Sequence, residues 1–200
     1  MKIAIIKYNA GNVVSVKNAL NRIGVTSILT DTPAEIMSAD KVIFPGVGEA
    51  TSAMKYLKSK NLDQVIKNLT QPVLGICLGM QLMCNFSEEN ETKCLGIFDI
   101  NVKKFPDTQK VPHMGWNLVK QQQPHPLWQG IDDGARFYFV HSYYAASKSN
   151  DVVCGVTEYG ISFTSAIAIN NAFACQFHPE KSSKDGLRLL KNFIDWDGGL

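Results

Sequence analysis

The sequence has no long hydrophobic run and no strong excess of either charge. None of its apolar stretches approaches the roughly 20 residues that a membrane-spanning helix needs. Its 20 Lys and Arg residues nearly balance its 18 Asp and Glu residues, so the formal net charge is only +2. A chain that binds nucleic acid or an anionic membrane usually carries a clear basic patch or excess. We therefore expect neither nucleic acid nor a membrane among its partners.

The cysteines also lack the spacing of a metal site. There are five, at positions 77, 84, 94, 154 and 175, and no two of them form a CxxC pair. An odd number without that spacing argues against a disulfide framework and against a zinc site. We expect no metal and no cofactor. Lys2 and Lys7 bracket an N-terminal apolar run too short for a secretory signal, so a reducing, cytoplasmic location is expected.

What the sequence does contain is the composition of an ordinary globular domain. It has 200 residues, of which 45% are hydrophobic and 19% charged. In the first 85 residues, apolar runs at 3–6, 26–29, 41–44 and 73–76 predict strands, and segments with helical spacing lie between them. This alternation predicts a central, mostly parallel sheet flanked by helices.

The second half of the sequence has a different pattern. Strands are predicted at 97–105, 117–120, 136–140, 152–159, 162–169 and 172–177, with turns between them, and a last helix begins near Ser183. Successive strands without intervening helices predict antiparallel additions to the sheet. We see neither a linker nor an internal repeat, so residues 1–200 are predicted to form a single α/β domain.

The segment at 72–83 carries the clearest local signal of chemistry. Cys77 lies between a predicted buried strand at 73–76 and a predicted helix at 78–83, with Gly75 and Gly79 two residues to either side. This is the Gly-x-nucleophile-x-Gly pattern of a nucleophile elbow, where only small residues fit beside the strained nucleophile. The start of a helix also favours a thiolate over a thiol. A small buried cysteine without chemistry is the competing interpretation.

A nucleophilic cysteine needs a base and a group that orients the base. His178 follows the apolar strand at 172–177 and precedes Pro179, which ends that strand. A parallel strand ending there would bring His178 to the same sheet edge as Cys77. Glu180, two residues on, can then hold the imidazole. A surface His and Glu at a strand end is the alternative, and His125, between two prolines, is predicted to be solvated.

The loop after the third predicted strand is a candidate for an oxyanion hole. In elbow geometry, one donor is the N–H of the residue after the nucleophile, which here is Leu78. The glycines of Pro-Gly-Val-Gly at 45–48 allow a second N–H, that of Val47, to point inward. A nucleotide-binding loop is disfavoured, because position 51 is Thr instead of a third Gly and no Walker lysine follows.

Two motifs taken together resemble the class I (triad) glutamine amidotransferases. They are Gly-Ile-Cys-Leu-Gly-Met-Gln at 75–81 and Gln-Phe-His-Pro-Glu at 176–180, and the resemblance covers essentially the whole chain. It implies hydrolysis of L-glutamine to glutamate and ammonia through a thioester. Cys77 would be the nucleophile, His178 the base and acid, and Glu180 the orienting group. Contacts with glutamine are implied for Gly46, Gly48, Gln81, Glu89, His141, Ser142 and Tyr143.

Further motifs resemble one group in this family, whose members pass ammonia to a separate (β/α)8-barrel cyclase subunit in histidine biosynthesis. They are Tyr-Asn-Ala-Gly-Asn at 8–12, Phe-Pro-Gly-Val-Gly at 44–48, Pro-His-Met-Gly-Trp-Asn at 112–117, Phe-Tyr-Phe-Val-His-Ser-Tyr at 137–143 and His-Pro-Glu-Lys-Ser-Ser at 178–183. The resemblance implies a heterodimer. In it, Asn12, Trp116, Tyr138 and Lys181 would face the barrel.

Three alternatives stay open at this point. The first is a glutaminase for another acceptor enzyme, such as a surface-sugar synthase. The second is a non-catalytic regulatory module, and the third is a cysteine hydrolase that needs no partner. Glu49 departs from the family pattern, which has small and aromatic residues after Gly48. Because unregulated ammonia release would waste glutamine, we also hypothesise that the loop at 46–48 takes its active orientation only when partner and acceptor are bound.

Overall fold

A mixed sheet, with 13 strands in the part of the chain that the structure describes, runs through the molecule. The computed structural model describes residues 1–8, 11–147 and 149–199, so Asn9 and Ala10 of the motif at 8–12 lie outside the described residues. The strands are β1 (Ile3–Ile6), β2 (Ser27–Thr30), β3 (Lys41–Phe44), β4 (Val73–Ile76), β5 (Phe86–Ser87), β6 (Thr92–Lys93), β7 (Asn101–Lys104), β8 (His113–Gln121), β9 (Ala135–His141), β10 (Tyr143–Ala146), β11 (Val153–Tyr159), β12 (Ile161–Ile169) and β13 (Ala172–Cys175). The helices of the described ranges are α1 (Val13–Arg22), α2 (Pro33–Met37), α3 (Ala50–Ser59), α4 (Leu62–Lys67), α5 (Leu78–Met83) and α6 (Ser183–Asp195).

The parallel part of the sheet has the order β2-β1-β3-β4-β13. Every residue of β1, β3, β4 and β13 is buried, which explains why their sequences are continuous apolar runs instead of alternating ones. In β4 and β13, Ile76 pairs with Cys175. The residues that follow these two strands therefore emerge side by side at the carboxyl edge of the sheet, and they include Cys77 and His178.

The second half adds antiparallel strands, as predicted, but several boundaries differ. Of the strand predicted at 97–105, only Asn101–Lys104 pairs, whereas β8 begins four residues earlier than predicted, at His113. The short strands β5, β6 and β10 were not predicted. Two to four residues are too few to show a period of two. The α/β fold class, with a mostly parallel centre and antiparallel additions, is confirmed.

The prediction for His125 is wrong. Its side chain is buried, its Nδ1 accepts a hydrogen bond from the Leu127 amide at 3.1 Å, and its ring packs against Phe173 and Trp196. Burial lowers the pKa of His125 to about 4. The covering residues are distant in sequence, so the polar loop around His125 gave no sign of them. In the described ranges, no helix has the length and apolarity needed to cross a membrane.

Candidate active site

Cys77 forms the sharp turn between β4 and α5. Its backbone has φ 52° and ψ −107°, a conformation that costs an L-residue free energy and is typical of functional positions. The Cys77 amide donates to the Cys175 carbonyl at 2.8 Å, and the Cys77 carbonyl accepts from the Gln81 amide at 3.2 Å. The turn is therefore held by the neighbouring strand on one side and by the first turn of α5 on the other.

The two glycines beside Cys77 are required by close packing. A Cβ atom on Gly79 would lie 1.8 Å from the carbonyl oxygen of Phe44, which is backbone and cannot move away. A Cβ atom on Gly75 would lie 2.7 Å from the Met83 sulfur and 2.9 Å from Cβ of Ala174. The spacing that predicted an elbow thus reflects how tightly α5 is folded back on the sheet.

His178 and Glu180 form a buried pair beside this turn. The Nδ1 atom of His178 lies 2.7 Å from Oε1 of Glu180, and neither side chain is exposed. Burial opposes a positive charge on His178, but the charge of Cys77, together with the hydrogen bond and charge of Glu180, outweighs it and raises the pKa of the imidazole to about 10. The two residues predicted to serve as base and orienting group are therefore in contact, and the imidazole favours its protonated form.

Asn12, predicted to face a partner, also contacts this pair. The residue is half-buried, its side-chain amide donates to the Glu180 carboxylate, and its Nδ2 atom lies 3.2 Å from Nδ1 of His178. Asn12 precedes α1 with a positive φ of 72°, a conformation that asparagine adopts more readily than most residues. The amide satisfies part of the hydrogen-bonding capacity of a buried carboxylate.

A cavity of about 290 Å³ opens in front of Cys77. Among the residues that line it, nine were predicted to belong to the site: Val47, Gly48, Cys77, Leu78, Gln81, Glu89, His141, Ser142 and Tyr143. Pro112 and Val140 complete the lining. The predicted residue Gly46 is buried and is not part of the lining. Residues separated by almost 100 positions in sequence therefore converge on one cavity.

The loop at 45–48 faces this cavity, with its carbonyl groups held by hydrogen bonds. The Gly46 carbonyl accepts from the Leu78 amide at 3.1 Å, and the Val47 carbonyl accepts from the Gly11 amide at 3.1 Å. The Pro45 carbonyl accepts from the Tyr8 hydroxyl. In this arrangement the Leu78 amide, one of the two predicted oxyanion donors, is occupied by Gly46.

Glu89 has a structural contact that the sequence did not indicate. Its carboxylate accepts from the backbone amide of Ala50 at 2.7 Å, at the first residue of α3. Burial raises the pKa of Glu89, the hydrogen bond from Ala50 opposes that shift, and the charge of Glu49 adds to it. Glu49 itself accepts a hydrogen bond from the exposed Asn90 side chain. Glu89 therefore both lines the cavity and satisfies the start of a helix.

Three of the four residues predicted to face a partner lie together at the surface. Trp116 and Lys181 are exposed, and Tyr138 is half-buried. Trp116 is 50% exposed, and its ring centroid is 6.2 Å from that of Tyr138. The Lys181 ammonium lies 5.9 Å from the centre of the Tyr138 ring. The Tyr138 carbonyl accepts from the His178 amide at 2.9 Å. A hydrogen bond therefore joins this surface directly to the backbone of His178. Met114 and Leu118 are also exposed, on β8, the strand that contains Trp116.

Gln176 was not predicted to belong to the site. Its side chain is fully buried, and its Nε2 atom lies 3.5 Å from the Cys77 sulfur. The contact of His113 with His141, whose ring nitrogens are 2.9 Å apart, was not predicted either. Gln176 is two residues before His178 in the motif at 176–180, and that placement was the available signal. In the strand predicted at 172–177, alternation would put Gln176 on the side of the residue two positions on, but β13 ends at Cys175.

Comparisons with known proteins agree with this architecture. The family model "Glutamine amidotransferase class-I" matches residues 4–196. The chain is 51% identical to the imidazole glycerol phosphate synthase subunit HisH of Bacteroides thetaiotaomicron, over 98% of this chain and 100% of that one. It is 47% identical to the protein of the same name from Acinetobacter baylyi, over 98% of both chains.

Solved structures with low sequence identity share the fold. A glutamine amidotransferase superposes with a TM-score of 0.75 at 16% identity, over 96% of this chain and 97% of that one. The structure of PurLQS from Thermotoga maritima gives a TM-score of 0.72 at 14% identity, over 97% of both chains. With a family model that spans nearly all of its residues, this chain belongs to the class I glutamine amidotransferases.

Proposed function

We propose that this chain is the glutaminase subunit of imidazole glycerol phosphate synthase. It hydrolyses L-glutamine to glutamate and ammonia and delivers the ammonia to a cyclase subunit. The observation that carries the proposal is Cys77, held at a strained turn beside the buried His178–Glu180 pair. Identity of 51% over the full length of a curated subunit of that synthase supports the assignment of the acceptor reaction.

The proposed reaction begins with the Cys77 thiolate. The sulfur attacks the side-chain amide carbon of glutamine, and the carbonyl oxygen takes up the electron pair. His178 gives its proton to the leaving nitrogen as the tetrahedral intermediate collapses, so ammonia departs and a thioester remains. Neutral His178 then takes a proton from water, which attacks the thioester. The Cys77 thiolate leaves, glutamate is released, and His178 is again protonated.

The electrostatics of His178 fit this sequence of steps. A pKa of about 10 keeps the imidazole protonated at neutral pH when Cys77 carries a negative charge. Once the sulfur is acylated, that charge is gone, and the pKa of His178 falls. The same imidazole can then serve as a base toward water. Glu180 holds Nδ1 throughout, so that Nε2 is the nitrogen that exchanges the proton.

We propose that the oxyanion is bound by the backbone amides of Leu78 and Val47. With the Leu78 amide bonded to Gly46, the loop at 45–48 must rearrange before both donors can serve. Removal of one such donor typically lowers kcat by about 100- to 1,000-fold. This supports a low glutaminase activity for the chain alone, with the rearrangement coupled to binding of the cyclase and its acceptor.

The walls of the cavity supply the proposed glutamine contacts. Gln81, Glu89 and the segment at 141–143 surround Cys77 with amide, carboxylate and backbone groups. Such groups suit the α-amino and α-carboxylate ends of an amino acid. Gly48 lines the same cavity, whereas Gly46 would contact glutamine only after the loop has rearranged.

The partner is proposed to be a (β/α)8-barrel cyclase that forms imidazole glycerol phosphate and aminoimidazole carboxamide ribonucleotide in histidine biosynthesis. Trp116, Tyr138 and Lys181 are proposed to contact it. Aromatic side chains such as those of Trp116 and Tyr138 are enriched at protein interfaces. Asn12, which donates to Glu180, is the fourth residue proposed to contact the partner. A single domain over residues 1–200 and a cytoplasmic location complete the proposal.

The test is to purify the chain with the candidate cyclase and to measure synthesis with glutamine or with ammonia as nitrogen source. Cys77→Ala should abolish glutamine-dependent synthesis and leave ammonia-dependent synthesis unchanged. Cys154→Ala, at a buried cysteine outside the cavity, is the matched control and should retain both. Glutamine turnover by Cys77→Ala would refute the nucleophile. Wild-type turnover without any synthesis by this cyclase would instead indicate another acceptor enzyme.

A further inference from the structure

The side chain of Gln176 lies between Cys77 and Gln81 and has no exposure to solvent. Its Nε2 atom is 3.5 Å from the Cys77 sulfur, and its Oε1 atom is 3.0 Å from Nε2 of Gln81. Gln176 is not part of the lining of the cavity in front of Cys77. Its amide therefore approaches the sulfur from the protein interior, where no substrate atom competes for it.

The orientation of the Gln176 amide is set by the backbone carbonyl of Tyr143, two hydrogen bonds away. A carbonyl can only accept, and this one receives Nδ1–H of His141 at 2.7 Å and Nε2–H of Gln81 at 3.0 Å. Gln81 must therefore present its amino group to Tyr143. The second N–H of that group points to Gln176, which must present its oxygen there. The amino group of Gln176 is then the end that faces the sulfur.

The reversed orientation would lose hydrogen bonds at both ends. If Gln176 alone were flipped, its amino group would face the amino group of Gln81, and its oxygen would face the sulfur. If both amides were flipped, the oxygen of Gln81 would face the carbonyl of Tyr143. Both arrangements leave buried acceptors or donors without partners, at a cost of about 1 to 3 kcal/mol for each. Only one orientation satisfies all of the groups.

We propose that Gln176 is a catalytic residue that donates a hydrogen bond to the Cys77 sulfur. The donor stabilises the thiolate before attack on the amide carbon. It acts again in the second half of the reaction, when the bond between sulfur and the acyl carbon breaks and the sulfur regains its electron pair. Gln81 positions Gln176 in addition to any contact it makes with glutamine. This inference rests on the proposed glutaminase function, whose nucleophile is the same sulfur.

The first experiment measures the reactivity of Cys77 in the full chain without substrate. Iodoacetamide alkylates thiolates. All five cysteines are buried, but Cys77 lines the cavity and the other four do not. Burial also raises the pKa of Cys94 to about 11 and that of Cys154 to about 12. Gln176→Met keeps a long side chain but removes the donor. At pH 7 we expect alkylation of Cys77 to be about tenfold slower than in the wild type, with the wild-type rate regained at higher pH.

A second variant removes the donor by another route. Gln176→Glu keeps an oxygen for Gln81 but turns a second oxygen toward the sulfur, so alkylation at pH 7 should be slowed more than in Gln176→Met. Asn192→Leu is the matched control. Asn192 is a buried amide that donates to Leu127 and Gln129, outside the cavity. The Asn192→Leu substitution should lower the free energy of unfolding without changing the pH dependence of Cys77 alkylation. Thermal unfolding of each variant shows which ones are folded.

The complex with the cyclase supplies the kinetic readout. Because Gln176 does not line the cavity, Gln176→Met should lower kcat for glutamine about tenfold and leave KM within about twofold. Wild-type alkylation rates in either folded Gln176 variant, or a rise in KM with unchanged kcat, would overturn the inference. Failure of the wild-type complex to hydrolyse glutamine would refute the proposed function. The alkylation rates would still report whether Gln176 acts on the sulfur.

Discussion

His178 and the pair formed by His113 and His141 are all buried, yet their protonation is opposite. The pKa of His178 is raised to about 10, although burial opposes it, because Cys77 and Glu180 lie beside it. Burial lowers the pKa of His113 to about 4. It lowers that of His141 to about 3, where the hydrogen bond to Tyr143 only partly offsets burial.

Burial alone therefore keeps a histidine neutral, and charged neighbours are needed to reverse that effect. His178 lies beside the Glu180 carboxylate and the Cys77 sulfur, and these neighbours raise its pKa so that it can hold a proton for chemistry. The hydrogen-bond partners of the other two are neutral, and the charge of His178 further lowers the pKa of His141. The side-chain amide of Asn117 lies 3.2 Å from Nε2 of His113. Nδ1 of His113 lies 2.9 Å from Nε2 of His141. Nδ1 of His141 in turn donates to the Tyr143 carbonyl. These two rings orient the cavity wall and do not transfer protons.

The largest effect is expected from Glu180→Gln, which removes one of the charges that set His178 apart. The pKa of His178 should fall toward those of His113 and His141, because the neutral amide that replaces the Glu180 carboxylate does not stabilise an imidazolium. We expect glutaminase kcat in the complex to fall by roughly 1,000- to 10,000-fold. NMR titration of His178 provides the second measurement. Glu158→Gln, at an exposed carboxylate of β11, is the control. A loss smaller than tenfold would contradict this account.

Acid should destabilise the fold through its neutral histidines, and His125 isolates that effect from the cavity. Its folded pKa of about 4 is below the usual value of about 6.5. The unfolded chain therefore binds the proton more readily, and stability present above pH 6.5 is lost as the pH falls toward 4. His125→Gln should reduce this loss between pH 7 and pH 5 by about 1 to 2 kcal/mol.

Urea unfolding at several pH values measures how the free energy of unfolding changes with pH. His178 provides the opposite sign within the same molecule. Because its folded pKa is raised, its contribution is fully present below about pH 6.5 and is lost as the pH rises toward 10. An unchanged acid slope in His125→Gln would show that His125 is not buried in its neutral form.

A smaller effect is expected from His113→Phe. Phenylalanine keeps the stacking of His113 on Phe139 and Tyr159, at centroid distances of 4.9 and 4.1 Å. It removes the donor to His141, so the Tyr143 wall should be held less firmly. We expect KM for glutamine to rise about threefold to tenfold with a smaller change in kcat. His125→Gln serves as control, and an unchanged KM would mean that the cavity wall does not need this hydrogen bond.

The parts of the site that the sequence could predict are those encoded within a few residues. The elbow at Cys77 follows from two glycines and an apolar strand, and the contact of Glu180 with His178 follows from a spacing of two. The parallel order of strands placed both segments at one edge of the sheet. Each of these features depends on local conformation or on a general rule of α/β topology.

The rest depends on contacts between distant segments. Gln176 reaches Gln81 across 95 positions, and the burial of His125 depends on Phe173 and Trp196. The hydrogen bond from Leu78 to Gly46 is a property of one loop conformation among several that glycines allow. Neither hydrophobic periodicity nor a motif predicts which buried polar groups form hydrogen bonds with each other, because tertiary packing decides their pairing.

The backbone at Cys77 has a consequence for how such a protein evolves. Glycine adopts a φ of 52° with ψ of −107° more readily than cysteine, so Cys77→Gly should relieve strain of about 1 to 3 kcal/mol while abolishing glutamine hydrolysis. The mutation that destroys the activity is thus one that stabilises the fold. In a lineage that no longer needed the ammonia, selection for stability and loss of function would favour the same substitution. The reactive sulfur persists only while its chemistry is under selection.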